Sequence, residues 1–580
     1  MQNQHKDASQ LTNIETLYPR KGTLTGRKLR EYIPVMILTN MSVFLLSTVD
    51  GLVAGNLVSE KALASINIFF PAMVIITIIS AIVESGSATS LATCMGKNDT
   101  EAIHRTKGAV RRTMIGAAIF TAIIQFPIMY AVMASYDLSP EVREMAWQYS
   151  IGIMVALPVG LINSVSSYQL QIVGKMRVLM MLSVMEGILN LLFDLFFVVV
   201  VHLGVVGIGF GTASATVVRC VVVLIYIVFK TDIYRSQGAK SGWREIKDIL
   251  YCGCPDAANM AMLALQNYFI MWIILREFGD EGGTIKGVCF FAFNIVNVVI
   301  LGMTSSMRPL AGLYAGAGDT RAMRDLVRKC FRISVVLVGA VTVIVELFPA
   351  LFYHMNGVTI IPDGGILSIR LFALYFVFKG MDSLLRLYLA NRKDSAVATV
   401  LTVIGNATLP VFAFAFCCIL PAPFMWLGYL MTEVLIFAVS GGRYLWWVRK
   451  DQDAVDLSEK VLYLSVRPKD AVEASRMIRQ FAEENGCSAR IAYRMALCME
   501  EMVAYVVQTH EQETVDIMIM AKFWPEKGIF CIIDDGKCIA LNESKETEKL
   551  TTDNYELLKK VSKSVEYQYI LNMNYTVIRF

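Results

Sequence analysis

The sequence predicts an all-α polytopic membrane protein, twelve transmembrane helices in two six-helix repeats, followed by a C-terminal α/β sandwich. Three observations predict it. The 580 residues are 55% hydrophobic and only 18% charged, and apolar stretches of about 20 residues or more recur, each able to cross roughly 30 Å of hydrocarbon. One short pattern returns at an offset of 220 residues. Beyond about residue 450 the membrane-length runs cease and the chain becomes charged.

Taken in order, residues 1–30 are polar and carry Lys6, Arg20, Lys21, Arg27, Lys28 and Arg30. That is too long and polar for the leading region of a signal peptide, so a cytoplasmic tail before an uncleaved first helix is expected. Apolar segments follow near 32–56, 65–92, 113–135, 147–171, 178–201, 205–229, 249–275, 287–312, 333–353, 365–390, 396–419 and 423–446. Alternate loops near 96–112, 172–177, 230–248, 313–332 and 391–395 hold 19 Lys and Arg; the opposite loops hold only Lys61, Arg143, Arg276 and Lys286. Basic loops stay inside, so both termini are expected in the cytoplasm of a multi-pass protein of the cell membrane.

The repeated pattern is Gly-x-x-Asp-Thr-x-Ala-apolar, at Gly96–Ile103 and Gly316–Met323, each after an apolar segment and before a basic stretch. It divides the membrane part into an amino lobe (31–230) and a carboxy lobe (231–450) of like orientation, a transporter design with the substrate path between halves. In 451–580, strand-like Val461–Val466, helices over 469–485 and 489–510, strands at 517–520 and 528–533, a helix near 553–564 and final strands near 565–580 read as one sandwich domain of ordinary size.

Chemistry-bearing residues are few. Asp50 ends an apolar run, where a charge costs roughly 2.5–3.5 kcal/mol on insertion scales. Asn190 and Asp194, four apart, share a helix face, and Thr212 follows a glycine-rich run. Oxygen donors of this kind suit a small hard cation or shared protons; acids resting near the headgroups are the alternative. Glu84 either faces a cavity or pairs with Arg219 or Lys379. Glu186 is expected toward the cytoplasmic loop, and Pro34 either bends the first helix or starts it. The 12 cysteines lack zinc-type spacing and suggest no disulfide framework; no metal site is expected. The 31 Met and 30 Phe offer soft, repackable surface for a polyspecific cavity, with lipid contact or core packing as the alternative for any one of them.

Asp50-Gly-Leu-Val-Ala-Gly55, Met307–Asp319 with its Arg-Pro-Leu-Ala-Gly and Gly-Ala-Gly, Gly253-x-Pro255 and Gly204-x-x-Gly207 together resemble the motifs of MATE (multidrug and toxic compound extrusion) transporters over about 31–448. The resemblance implies an amino-lobe cation site of Asp50, Asn190, Asp194 and Thr212. A second branch of that family uses carboxy-lobe acids; Leu263 stands at the seventh-helix position, and Asp382 lies a turn from the tenth-helix one. Arg308 replaces the family's usual amide. Asp382 and Glu84 are thus the candidate cavity residues.

The C-terminal domain resembles anti-sigma-factor-type histidine-kinase-like ATPases through Glu500-Glu501-Met-Val-Ala-Tyr505 and Asp534-Asp535-Gly536. Tyr505 stands where the metal-binding Asn belongs, and Asp553–Glu556 replaces the phosphate-cradling glycines, so a degenerate, non-hydrolysing site of Glu501, Asp534 and Gly536 is implied. The resemblances imply an antiporter rather than an enzyme, exporting lipophilic organic cations against H⁺ or Na⁺. No cofactor is required. Weak ATP binding or a cytoplasmic regulatory protein is expected at the C-terminal domain, membrane lipid around the bundle, and no nucleic acid. A lipid-linked precursor flippase of the same superfamily, or a receptor with a kinase-like output domain, are the competing readings.

Overall fold

The structure, a computed structural model, describes residues 23–97, 99–134, 140–230, 242–279, 281–356, 358, 360–392, 394–457, 460–466, 471–509, 517–536 and 557–580. The amino lobe comprises α1 (Thr23–Val53), α2 (Glu60–Lys97), α3 (Thr100–Ala134), α4 (Pro140–Ile153), α5 (Ala156–Ile172), α6 (Met176–Leu195) and α7 (Val205–Lys230). The carboxy lobe comprises α8 (Trp243–Phe278), α9 (Glu281–Ala317), α10 (Thr320–Leu347), α11 (Pro349–Met355), α12 (Gly365–Ala373), α13 (Phe376–Asn391), α14 (Ser395–Ile419) and α15 (Leu427–Leu457).

Among the described residues nine helices are long and apolar enough to cross a membrane, ten if α4 and α5, bent by 41° at their junction, form one span. The protein is therefore multi-pass. Two of the twelve expected spans fall outside that set. The first, α1, has side chains at 46–49 that lie outside the described residues; the tenth is broken between α12 and α13 and carries Arg370, Lys379, Asp382 and Arg386. Pro34 lies within α1, which continues through it.

The internal repeat has a physical explanation, residue by residue. Its two aspartates are helix caps: Asp99 Oδ1 accepts from Ala102 N at 3.0 Å and Asp319 Oδ1 from Ala322 N at 2.8 Å, satisfying amide groups that the first helical turn leaves open. Its two glycines meet each other. A Cβ on Gly96 would lie 2.2 Å from Leu313 O and 2.9 Å from Gly316 Cα, and one on Gly316 would lie 2.2 Å from Thr93 O. The ends of α2 and α9 thus touch backbone to backbone, closing the lobes against each other there. Further along, α2 meets α8 in the same manner, a Cβ on Gly86 falling 2.0 Å from Ile249 O. Small residues are what permit such contacts between membrane helices.

Beyond α15, β1 (Lys460–Val466), α16 (Ala471–Glu484), α17 (Ala489–Thr509), β2 (Ile517–Trp524), β3 (Lys527–Asp534), β4 (Ser564–Ile570) and β5 (Met573–Arg579) form a five-stranded antiparallel sheet with two helices on one face. The strand order is β1-β2-β3-β5-β4. Strand alternation divides its side chains. Leu462, Leu464, Ile517, Ile519, Phe530, Ile532 and Ile578 pack under α16 and α17. Tyr463, Met518, Met520, Cys531, Ile533, Tyr575 and Val577 join a cluster with Leu91 and Met95 of α2 and Leu313 and Tyr314 of α9. The sheet's second face is therefore covered by the helix bundle itself. Within the expected 553–564 helix, only 557–561 is both described and helical.

Candidate functional site

The amino lobe gathers Asp50, Asn190, Asp194 and Thr212 from α1, α6 and α7. Asn190 is the hub: its Nδ2 donates to Asp50 Oδ1 at 3.0 Å, and lies 3.4 Å from Asp194 Oδ2 and 3.3 Å from Thr212 Oγ1. Thr212 Oγ1 donates to Asp50 Oδ2 at 3.0 Å. Asn190 and Asp194 are wholly buried and Asp50 nearly so. Their positions follow from local sequence. The i, i+4 spacing places Asn190 above Asp194 on one face of α6. Gly211 lets α7 approach that face, since a Cβ there would sit 1.9 Å from Asp194 Oδ1. Both acids precede a widened helical turn: Ala54–Val58 begins four residues after Asp50, and Phe196–Val200 two after Asp194. Such wide turns gather at functional sites.

The electrostatics are one-sided. Two carboxylates converge, and the partners seen for them are neutral: an amide, a hydroxyl and the phenol of Tyr149, whose OH reaches Asp50 Oδ2 at 3.4 Å. Asn190 Oδ1 and Asp194 Oδ1 are buried without a hydrogen-bond partner, an arrangement that burial ordinarily penalises. A proton or a small monovalent cation would relieve it, and these oxygens would hold one. Among the described residues no group of three or more His, Cys, Asp or Glu converges. Tyr149 was not anticipated, because one phenol in an apolar segment carries no signal of its own.

The other candidates lie elsewhere. Glu84, on α2, is half-buried beside Ser164, Arg308 and Asp256 at the lobe interface. The cations expected as its partners are committed: Arg219 donates to Glu186 at 2.5 Å and to Ser167 Oγ at 2.9 Å, and Lys379 donates to Glu433 at 2.7 Å. Glu186 is accordingly buried inside the amino lobe rather than turned to a loop, because Arg219 compensates it there. Arg308 Nη2 meets Asp256 Oδ2 at 3.0 Å, with its guanidinium 5.7 Å from the Tyr168 ring centre. Asp382 lies in the carboxy-lobe interior. It is wholly buried, paired with Arg386 at 2.8 Å and accepting from Ser440 Oγ at 3.0 Å.

In the C-terminal domain, Asp534 is buried at the end of β3, and its Oδ1 accepts from Gly536 N at 2.9 Å and Asn574 Nδ2 at 2.6 Å. Glu501 is half-buried on α17. The Tyr505 side chain and residues 553–556, on which the degenerate-site expectation turns, lie outside the described residues.

Three comparisons bear on this geometry. The MatE family model matches residues 36–196, a span that contains Asp50, Asn190 and Asp194. DNA damage-inducible protein F of Escherichia coli (strain K12) is 22% identical over 299 residues, 51% of this chain and 65% of that protein. Multidrug export protein MepA of Staphylococcus haemolyticus (strain JCSC1435) is 21% identical over 310 residues, 52% of this chain and 68% of that protein. The chain thus spans about two-thirds of the length of these curated relatives. Among solved structures, an outward-facing multidrug resistance MATE family transporter of the MOP superfamily superposes with TM-score 0.68 at 18% identity, covering 74% of this chain and 96% of that one. A MOP superfamily transporter from Pyrococcus furiosus, described as having a binding pocket of reverse polarity, gives 0.67 at 18% identity, covering 75% and 97%. The membrane part of this chain has the fold of MATE transporters, and most of its amino lobe matches the family's own model.

Proposed function

We propose that the protein is a secondary antiporter of the cell membrane that exports lipophilic organic cations in exchange for H⁺ or Na⁺, with both termini in the cytoplasm. The observation that carries this reading is the pair of buried carboxylates, Asp50 and Asp194, held by neutral donors and, among the described residues, paired with no basic side chain. Such a pair is stable when a cation neutralises it and strained when it does not, so its occupancy is coupled to the packing of α1, α6 and α7. Entry of one charge down 100 mV supplies about 2.3 kcal/mol, which offsets the equal cost of moving one monovalent organic cation out, so the coupling ion's own concentration gradient or a second entering ion drives accumulation. Substrate and coupling ion bind in alternation, as exchange requires, and the wide turns after Asp50 and Asp194 supply deformable segments. At the C-terminal domain the proposed ligand is a weakly bound nucleotide at Asp534 and Gly536, or a regulatory protein.

The test is transport in proteoliposomes with separately imposed Na⁺ and H⁺ gradients and a panel of organic cations. Gradient-driven efflux is expected in the parent and at background in Asp50→Asn and Asp194→Asn. Undiminished efflux in both variants would overturn the site assignment. Calorimetry of the full-length protein with ATP–Mg²⁺ addresses the nucleotide: heat of binding without turnover is the expected result.

A further inference from the structure

The turn joining β4 to β5 is unusual. Its two central residues, Leu571 and Asn572, have φ of 56° and 53°, as a two-residue hairpin of type I′ demands, yet such turns favour Asn-Gly or Asp-Gly. Leucine in the left-handed region is disfavoured by its own Cβ, so something outside the hairpin holds it there. That something is the amino lobe. Leu571 N donates to Ile172 O at 3.0 Å, and Tyr32 OH donates to Leu571 O. Lys28 Nζ donates to Asn572 O at 2.9 Å, and Asn572 Nδ2 donates to Gly174 O at 2.9 Å. Gly174, itself at φ 82°, has no room for a Cβ, which would fall 2.5 Å from Asn572 N. Leu571 is almost wholly buried. The hairpin tip is shaped for the groove it occupies between α1 and the α5–α6 connection.

The rest of the sheet reaches the other lobe and the seam between them. Tyr575 OH donates to Gly96 O at 2.7 Å, at the point where Gly96 meets Gly316. The Arg321 guanidinium, at the start of α10, lies 5.0 Å from the Tyr463 ring centre on β1. Arg27 of α1 pairs with Asp535 at 2.6 Å. Around these contacts the apolar cluster is continuous across sheet, α2 and α9. One small domain therefore grips both lobes at one end of their seam.

We infer that the C-terminal domain is a clamp on that seam: docked, it holds the two lobes together at its own side, and the lobes separate there only when the β4–β5 hairpin lets go. This rests on the reading that the lobes move apart during transport. Contacts that exist only in the closed arrangement shift the conformational equilibrium toward it by their own differential free energy. By reciprocity, whatever binds the undocked domain better opens the seam.

The test is hydrogen exchange and thiol alkylation on the full-length protein in lipid nanodiscs. Cys531 is a native reporter: it lies on the sheet face turned to the seam, and burial pushes its thiol up to about 12. Leu571→Asp places a charge in the hairpin's groove and is expected to raise three rates together by about tenfold or more. These are Cys531 alkylation, exchange of 573–579, and exchange of the helix ends 90–97 and 310–317. Asn572→Gly keeps the left-handed turn and removes only the side-chain bond to Gly174; it is expected to shift all three the same way by about fivefold or less, and it stands alone if Leu571→Asp does not fold. Faster exchange in 573–579 with unchanged helix ends would overturn the clamp, since the domain would then rest on the seam without holding it. So would no change at any of the three. No readout involves substrate or a gradient, so failure of the transport reading is distinguishable from failure of the clamp.

Discussion

Both lobes bury acids among membrane helices, but they compensate them differently. In the carboxy lobe, Asp382 has Arg386 at 2.8 Å and Glu433 has Lys379 at 2.7 Å, so that lobe carries its own counter-cations. In the amino lobe, Asp50 and Asp194 have an amide, a hydroxyl and a phenol, and the positive charge must come from elsewhere. Glu186 and Arg219 show that the amino lobe can also build a closed pair, one turn from the open one. On the proposed reading, the partner of an intramembrane acid, rather than its depth or residue type, separates a coupling acid from one that stabilises the bundle.

The largest test of that contrast is Asp382→Ala. It strands Arg386 in the interior and is expected to lose about 3–5 kcal/mol, read as thermal unfolding in detergent. Asp50→Asn, by comparison, removes a carboxylate that no basic side chain among the described residues pairs, and should unfold no earlier than the parent while losing ion-driven transport. If Asp382→Ala were as stable as the parent, the two lobes would not differ in the way described.

Arg219→Met sharpens the same point within one lobe. It should destabilise by about 3 kcal/mol, and adding Glu186→Gln should recover most of the loss, because removing both members of a buried pair is far milder than removing one. A double variant no better than the single would dissolve the pairing argument. Tyr149→Phe is milder. Its contact with Asp50 is long, at 3.4 Å, so a loss of no more than about 1 kcal/mol and retained transport are expected; abolished transport would promote Tyr149 to a ligand of the same rank as Asn190.

The smallest effect is expected outside the membrane part, at Asp394. Burial pushes its carboxyl up, but hydrogen bonds from Arg443 at 2.9 Å and Trp447 at 2.5 Å outweigh this and hold it below the usual carboxylate range. Its contribution is thus present above the unfolded value of about 3.9 and lost as pH falls through the lower folded value. The stability gap between parent and Asp394→Asn should narrow in acid, and a gap that widened would reverse the sign.

Much of the site was legible because its signals are local. Four-residue spacing put Asn190 and Asp194 on one face, and an acid in an apolar run singled out Asp50. Tyr149 was not legible, since a phenol suits a core as readily as a site. Nor was the fate of Glu84 and Glu186, because the bases beside them lie on other helices: Arg219 is 33 residues from Glu186, whereas Asp382 has Arg386 four residues on in its own helix, a pairing the spacing does carry. Local pattern says which residues are polar, while pairing is a property of packed surfaces.

The sequence by itself determined the membrane class, the two-lobe repeat, the alternating strands of the C-terminal domain and the candidate cation ligands. The first three follow from periodicity, hydrophobicity and spacing along one chain, and the ligand set from the family resemblance of its motifs. Only the tertiary structure decided that the repeat's two glycines face each other across the seam, and that a leucine forced into a left-handed turn seats the C-terminal sheet beside them. Those contacts join residues hundreds of positions apart, and close packing between elements, unlike periodicity within one, leaves no pattern in a linear sequence.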